Sequence, residues 1–194
     1  QGLRELCSRL NACEWAGQQL LQLTNRLRGE VPGVTHLPGV SESVRRCESC
    51  CDDLLKYTQE KLVFYELDPF LVTRLYAPSP AAPDARLVTM LRAQVEPILR
   101  EITHTVAPRK VQPLLDGLLG TLCLAFAAAM ELPGRSFTPE HEDCMHADLD
   151  RLSAAFRNLL PEEKVIYSVR VLHSLASSAC SGGGGGGGPP NATG

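Results

Sequence analysis

Apolar residues recur along most of this chain at intervals of three and four, the spacing that lines one face of an α-helix. Over 2–28, Leu3, Cys7, Leu10, Gly17, Leu20, Leu21, Thr24 and Leu27 share such a face. Gly-Glu-Val-Pro-Gly at 29–33 ends the run, and Pro38-Gly39 prolongs the loop. Ser41 is placed to cap a second helix, because its side-chain oxygen can accept an unpaired first-turn N–H. There Val44, Cys47, Cys51, Leu54, Leu55, Thr58 and Leu62 form a seam leading toward Tyr65. Asp68-Pro69 predicts an interruption, since proline lacks a donor and disfavours helical geometry in the residue before it. Phe70, Leu71, Leu75 and Tyr76 then read as a short helical piece, and 77–84 (Ala-Pro-Ser-Pro-Ala-Ala-Pro-Asp) as a linker.

Asp84 can cap a third helix carrying Leu87, Met90, Leu91, Val95, Ile98, Leu99, Ile102 and Val106, with a bend expected at Pro97. Pro108 suits the first turn of a fourth, whose buried side would hold Val111, Leu114, Leu115, Leu118, Leu122, Ala125, Phe126 and Ala129. Gly117 and Gly120 on that helix read either as points of close approach for a neighbour or as tolerated surface glycines. After Pro133-Gly134, the run Thr138-Pro139-Glu140 is a helix start, combining a hydroxyl cap, a first-position proline and acids favoured by the helix dipole. Cys144, Leu149, Leu152 and Phe156 supply its apolar side. Pro161-Glu162-Glu163 opens a last helix bearing Val165, Ile166, Val169, Leu172 and Leu175. The pattern predicts an all-α fold of about six helices in an antiparallel bundle over 1–180. A tail at 181–194, with seven consecutive glycines, has nothing to bury and is expected to be disordered.

Composition supports a real core, with 44% hydrophobic against 21% charged residues, and the low 5% aromatic content favours aliphatic helix seams over a β-sandwich. A net charge of -3 argues against nucleic acid or an anionic membrane as main partner, because such binding needs clustered cations. The pairs Arg45-Arg46 and Arg109-Lys110 read as solvated helix surface. No uninterrupted apolar run approaches a membrane span, since Asp116, Gly117 and Gly120 break the best candidate, 114–130. The chain opens on Gln1 without a signal-peptide pattern and reads as part of a longer protein. Eight cysteines, several of them at apolar helical positions, fit reduced thiols in the cytosol better than a secreted disulfide scaffold.

The sharpest metal hypothesis joins Cys47-x-x-Cys50-Cys51 to His141-x-x-Cys144-x-His146, residue types that hold zinc. Two features oppose it. The Cys-x-x-Cys lies inside a helical pattern rather than on a knuckle turn, and His141 and His146 project roughly 140° apart around a helix. No Gly-x-Ser-x-Gly elbow and no phosphate loop is present, and the acidic pairs sit at helix surfaces or first turns. No catalytic, cofactor-binding or metal residue is therefore assigned, and a non-enzymatic role is expected.

Seven blocks remain, spread in order along the chain: Leu6-Cys7-Ser8-Arg9-Leu10-Asn11, Lys61-Leu62-Val63-Phe64-Tyr65-Glu66-Leu67, Leu75-Tyr76-Ala77-Pro78-Ser79, Val95-Glu96-Pro97-Ile98-Leu99, Leu115-Asp116-Gly117-Leu118-Leu119, Phe137-Thr138-Pro139, and Asp148-Leu149-Asp150-Arg151-Leu152 leading to Phe156. In this order they resemble the C-terminal part of the MUN domain of the uncoordinated-type vesicle-priming proteins, most of all its plant and algal branch. The resemblance covers about residues 1–175. It departs at Arg157-Asn158-Leu159-Leu160-Pro161, where the family has a Gly-containing polar turn, and at the Gly-rich tail. It implies a segment of a helical rod that acts in exocytosis, helps SNARE proteins or tethering subunits assemble, and delivers membrane proteins to the plasma membrane. The expected location is the cytoplasm, with peripheral membrane association through the full-length protein. The other readings are a generic helical adaptor and, more remotely, a zinc-stabilised domain.

Overall fold

The computed structural model describes residues 2–31, 37–67, 85–131 and 137–181, with side chains from 93 onward in the third stretch. The elements among the described residues are all helical: α1 (Leu3–Glu30), α2 (Pro38–Glu60), α3 (Ala85–Thr105), α4 (Pro108–Met130), α5 (Pro139–Phe156) and α6 (Glu162–Ser181). Helix α2 continues directly into a π-helical turn over Lys61–Leu67. The chain divides into two compact units. One comprises Gln1–Glu66 with Gln94–Thr121, and the other the described residues of Leu67–Ala93 and Leu122–Gly194. The interruption expected at Asp68-Pro69, the helical piece at 70–76, the linker at 77–84 with the Asp84 cap, and the tail beyond Ser181 lie outside the described residues.

Local chemistry sets most helix starts where expected. Helix α4 opens on Pro108, α5 on Pro139 after Thr138 in extended geometry, and α6 on Glu162 after Pro161. The second helix differs. It begins at Pro38, one turn before Ser41, and the Val40 and Ser41 N–H groups donate to the Leu37 carbonyl at 3.1 and 3.0 Å. Proline at the first helical position forfeits no hydrogen bond and arrives with φ preset, so Pro38-Gly39 starts the helix instead of extending the loop.

In the first unit α1 and α2 are antiparallel. Cys13 meets Cys50 and Gly17 faces Cys47, so numbers rise on one helix as they fall on the other. The first half of α1 also meets the ends of α3 and α4. Arg4 Nε donates to Glu101 Oε1 at 2.7 Å, and Lys110 Nζ lies 3.5 Å from Glu14 Oε2 in a pair that is four-fifths buried. Lys110 is thus not part of a solvated face; only its neighbour Arg109 is exposed. Where α1 has several partners its buried residues crowd together, at Leu6, Cys7 and Leu10. Farther along they thin to Gly17 and Thr24, seven apart, the narrow seam of a helix that among the described residues packs mainly on α2. Leu21, expected on that seam, is consequently exposed.

Asn11 joins three helices. Its Nδ2 donates to the Thr105 carbonyl and its Oδ1 accepts the Ala107 N–H, both at 2.7 Å, which satisfies two backbone groups at the break between α3 and α4. We expect Asn11→Ala to cost about 1–2 kcal/mol in urea unfolding, from two part-buried bonds at roughly 0.5–1.5 kcal/mol each. Asn11→Asp should do no better, since a carboxylate would face the Thr105 carbonyl without a donor. Wild-type stability in both variants would refute this role.

The seam of α2 holds for Val44, Cys51, Leu55, Thr58 and Leu62 but not for Tyr65, which is 77% exposed. The π turn is the reason. From Leu62, α-helical spacing would bring residue 65 or 66 inward, whereas the wider turn brings Leu67 inward instead, five residues on. Gly117 does permit close approach: the Gln59 side chain lies over it, with Nε2 3.3 Å from the Pro113 carbonyl and 3.5 Å from that of Leu114. At Gly120, among the described residues, no atom lies within 4 Å of where a Cβ would stand.

Helix α4 is the one described helix long and apolar enough to cross a membrane by length and composition, although half of its most apolar window is buried within the protein. Leu114, Leu115, Leu118, Leu119, Leu122, Ala125, Phe126, Ala129 and Met130 are buried, so its apolarity is used in the core. In the second unit α5 and α6 pair antiparallel, with Glu142 near Ser177 and His146 near His173. Met145, Leu149, Leu152 and Phe156 of α5, with Val165, Val169, Leu172 and Ala176 of α6, are buried, while Ile166 is 40% exposed. The Asp148-Leu149-Asp150-Arg151-Leu152 block is mostly structural: Leu149 and Leu152 are core, and Asp148 is buried 3.6 Å from Arg151 Nη1.

Candidate functional site

Three features on the described surface carry chemistry beyond packing. The first is aromatic. Tyr57, Phe64 and Tyr65 are 49%, 44% and 77% exposed, and they follow one another along α2 and its π turn while Leu55, Thr58, Leu62, Val63 and Leu67 are buried. In an α-helix residues 57, 61, 64 and 65 lie near one stripe, and the π turn holds Phe64, Tyr65 and Glu66 together on the outside. Exposed aromatics of this kind supply large, stiff contact area for a partner chain.

The second is a group of thiols where α1 crosses α2. The Sγ atoms of Cys13 and Cys50 are 3.6 Å apart, and Cys47 and Cys51 lie close enough to act on Cys13 electrostatically. Burial, then the hydrogen bond with Cys50, pushes the Cys13 thiol up to about 11. Burial likewise raises Cys51. In the second unit Cys123 is pushed to about 11 by burial alone, with its thiol 4.0 Å from the Ser168 carbonyl. All eight cysteines are free thiols.

The third is a polar strip between α5 and α6. The His146 and His173 rings lie nearly parallel, with 4.7 Å between centroids and 11° between their planes, and their Nδ1 atoms face one another. His146 Nε2 lies 3.2 Å from Ser177 Oγ and 3.5 Å from Glu142 Oε1, while His173 Nε2 is 3.5 Å from Asp150 Oδ1. Ser177 donates its hydroxyl to Glu142 Oε1 at 2.6 Å. That bond, foremost, holds the Glu142 carboxyl below its ordinary range. The serine proton thus goes to a carboxylate, with the imidazole of His146 on the other side of the same hydroxyl.

The residues weighed for zinc separate by role. Cys47, Cys50 and Cys51 stand on α2 in the first unit, and His141, Cys144 and His146 on α5 in the second. His141 belongs to the helix start: its Nδ1 accepts the Thr138 N–H at 3.2 Å and meets Thr138 Oγ1 at 2.8 Å, and its ring sits edge-on to Phe137. Among the described residues no group of three or more His, Cys, Asp or Glu could hold a metal ion. The partners Cys13 and His173 escape a sequence reading because they lie 37 and 27 residues from Cys50 and His146. Only the register between helices brings them together.

Comparison of the chain with protein-family models, with curated proteins and with solved structures finds no match.

Proposed function

We propose that this chain is a segment of a non-enzymatic scaffold for vesicle tethering or priming in exocytosis. It acts through protein contacts in the cytoplasm or peripherally at the plasma membrane, and it serves delivery of membrane proteins there. The ordered blocks of the MUN resemblance support the vesicle role, and the helical-bundle architecture is compatible with it. The observation that carries the binding mode is the exposure of Phe64 and Tyr65 within the Lys61–Leu67 block, on a π turn whose other side is anchored by buried Leu62, Val63 and Leu67. Aromatics held on a rigid helix suit the apolar stripe of an amphipathic partner helix, which is the form of a SNARE motif.

The test is titration of the protein with purified SNARE-motif helices, wild type against Phe64→Glu/Tyr65→Glu. Both residues are exposed, so the helical spectrum should be unchanged while affinity falls at least about tenfold, the equivalent of roughly 1.4 kcal/mol. Equal affinity in the double variant would remove the aromatic stripe from the proposal. Absence of any binding to SNARE motifs or tether subunits would leave the chain a helical adaptor of another kind.

A further inference from the structure

We propose that Cys13 and Cys50 are a redox site, forming a reversible disulfide that clasps α1 to α2 when the protein meets hydrogen peroxide. Two independent observations place the sulfurs for it. Their Sγ atoms already stand 3.6 Å apart, and bond formation requires closure to about 2.05 Å. One turn along each helix, a Cβ built on Gly17 would lie 3.4 Å from the Cys47 Cβ, so the helices approach closely at this crossing. The closure is a matter of side-chain rotation more than backbone movement.

Accessibility differs within the group and sets the order of events. Cys50 is exposed, Cys13 and Cys47 are partly buried and Cys51 is 2% exposed, so Cys50 meets the oxidant first. In its deprotonated form Cys50 attacks one peroxide oxygen. The O–O bond breaks, hydroxide leaves, and Cys50 becomes a sulfenic acid. The Cys13 sulfur then attacks the Cys50 sulfur, forming the S–S bond and breaking the S–O bond. The departing hydroxide takes the Cys13 proton and leaves as water. Two thiols give up two protons and one electron pair, and the peroxide is reduced to two waters. The high proton affinity of Cys13 keeps it from oxidising alone, which suits a resolving thiol. A small thiol such as glutathione reverses the bond by exchange at the exposed Cys50 sulfur.

The chain itself provides the readout. Trypsin releases Cys13 alone in peptide 10–26, and Cys47, Cys50 and Cys51 together in peptide 47–56. After stoichiometric peroxide and a digest without reductant, we expect these peptides joined, two hydrogens lighter than their sum, and separated again by dithiothreitol. Cys50→Ser should abolish the joined species and Cys51→Ser should retain it, each with an unchanged helical spectrum. Three results would overturn the proposal: a joined species that survives Cys50→Ser, sulfinic acid at Cys50 with no joined species, or linkage only between chains on a non-reducing gel. Since no partner is involved, failure of the vesicle-scaffold reading leaves this experiment unaffected.

Discussion

Phe156→Ala is expected to lower the unfolding free energy by about 3–5 kcal/mol, the cost of removing a buried aromatic and leaving its volume only partly refilled. Phe156 is completely buried at the end of α5, in a unit whose core also takes Phe126 and Leu149. Against a total stability of roughly 5–15 kcal/mol, a loss of this size takes a large share. With urea slopes of about 1–3 kcal/mol per molar, the midpoint should fall by more than about 1 M. Hydrogen exchange in α5 and α6 should accelerate to match, because the cavity opens between elements that protect one another's amides. Phe156→Leu keeps the apolar character and most of the volume, and should recover the greater part of the loss. A drop below about 1 kcal/mol for the alanine variant would mean that the site collapses around the deletion, contrary to a close-packed interior.

Pro97→Ala should act in the opposite direction, stabilising the protein by about 2 kcal/mol. Helix α3 runs continuously from Ala85 to Thr105 through Pro97. Having no N–H, Pro97 leaves the Ala93 carbonyl without its usual intrahelical donor, and both residues are exposed. Alanine in a helix interior is favoured over proline by roughly 3 kcal/mol. It also frees the unfolded chain, which returns about 0.4–1 kcal/mol to the unfolded state. The first effect is larger, and the urea midpoint should rise by about 1 M. No packing is lost, because the ring faces solvent. An unchanged or lower midpoint would show that α3 depends on the proline, as a helix bent there to fit its neighbours would.

Both predictions rest on positions the sequence already marks, and the reason is local. Proline at 108 and 139, the Thr138 hydroxyl and the acids after Pro161 act within one helical turn, so those boundaries follow from neighbouring residues alone. Ser41 misleads because two good starting signals lie within one turn, and Pro38 comes first. Periodicity likewise finds Val95, Leu99, Ile102, Leu114, Leu118 and Leu122 in the core. It fails at Leu21, where the buried seam of α1 has narrowed to Gly17 and Thr24, and at Tyr65, where the π turn changes the helical period.

The thiol pair and the histidine strip were legible only as residue types. That Cys50 would meet Cys13 depends on how two long helices slide past each other, and one residue of slip would pair other side chains. The same holds for Asn11, whose two hydrogen bonds reach backbone groups 94 and 96 residues away, and for Gln59 lying over Gly117. By itself, then, the sequence determined an all-helical chain, most helix ends and the apolar side of each helix, because these arise within a turn or two of chain. Tertiary structure alone decided which polar and sulfur-bearing side chains meet, because contacts between helices depend on register and crossing, to which residues far apart in sequence all contribute.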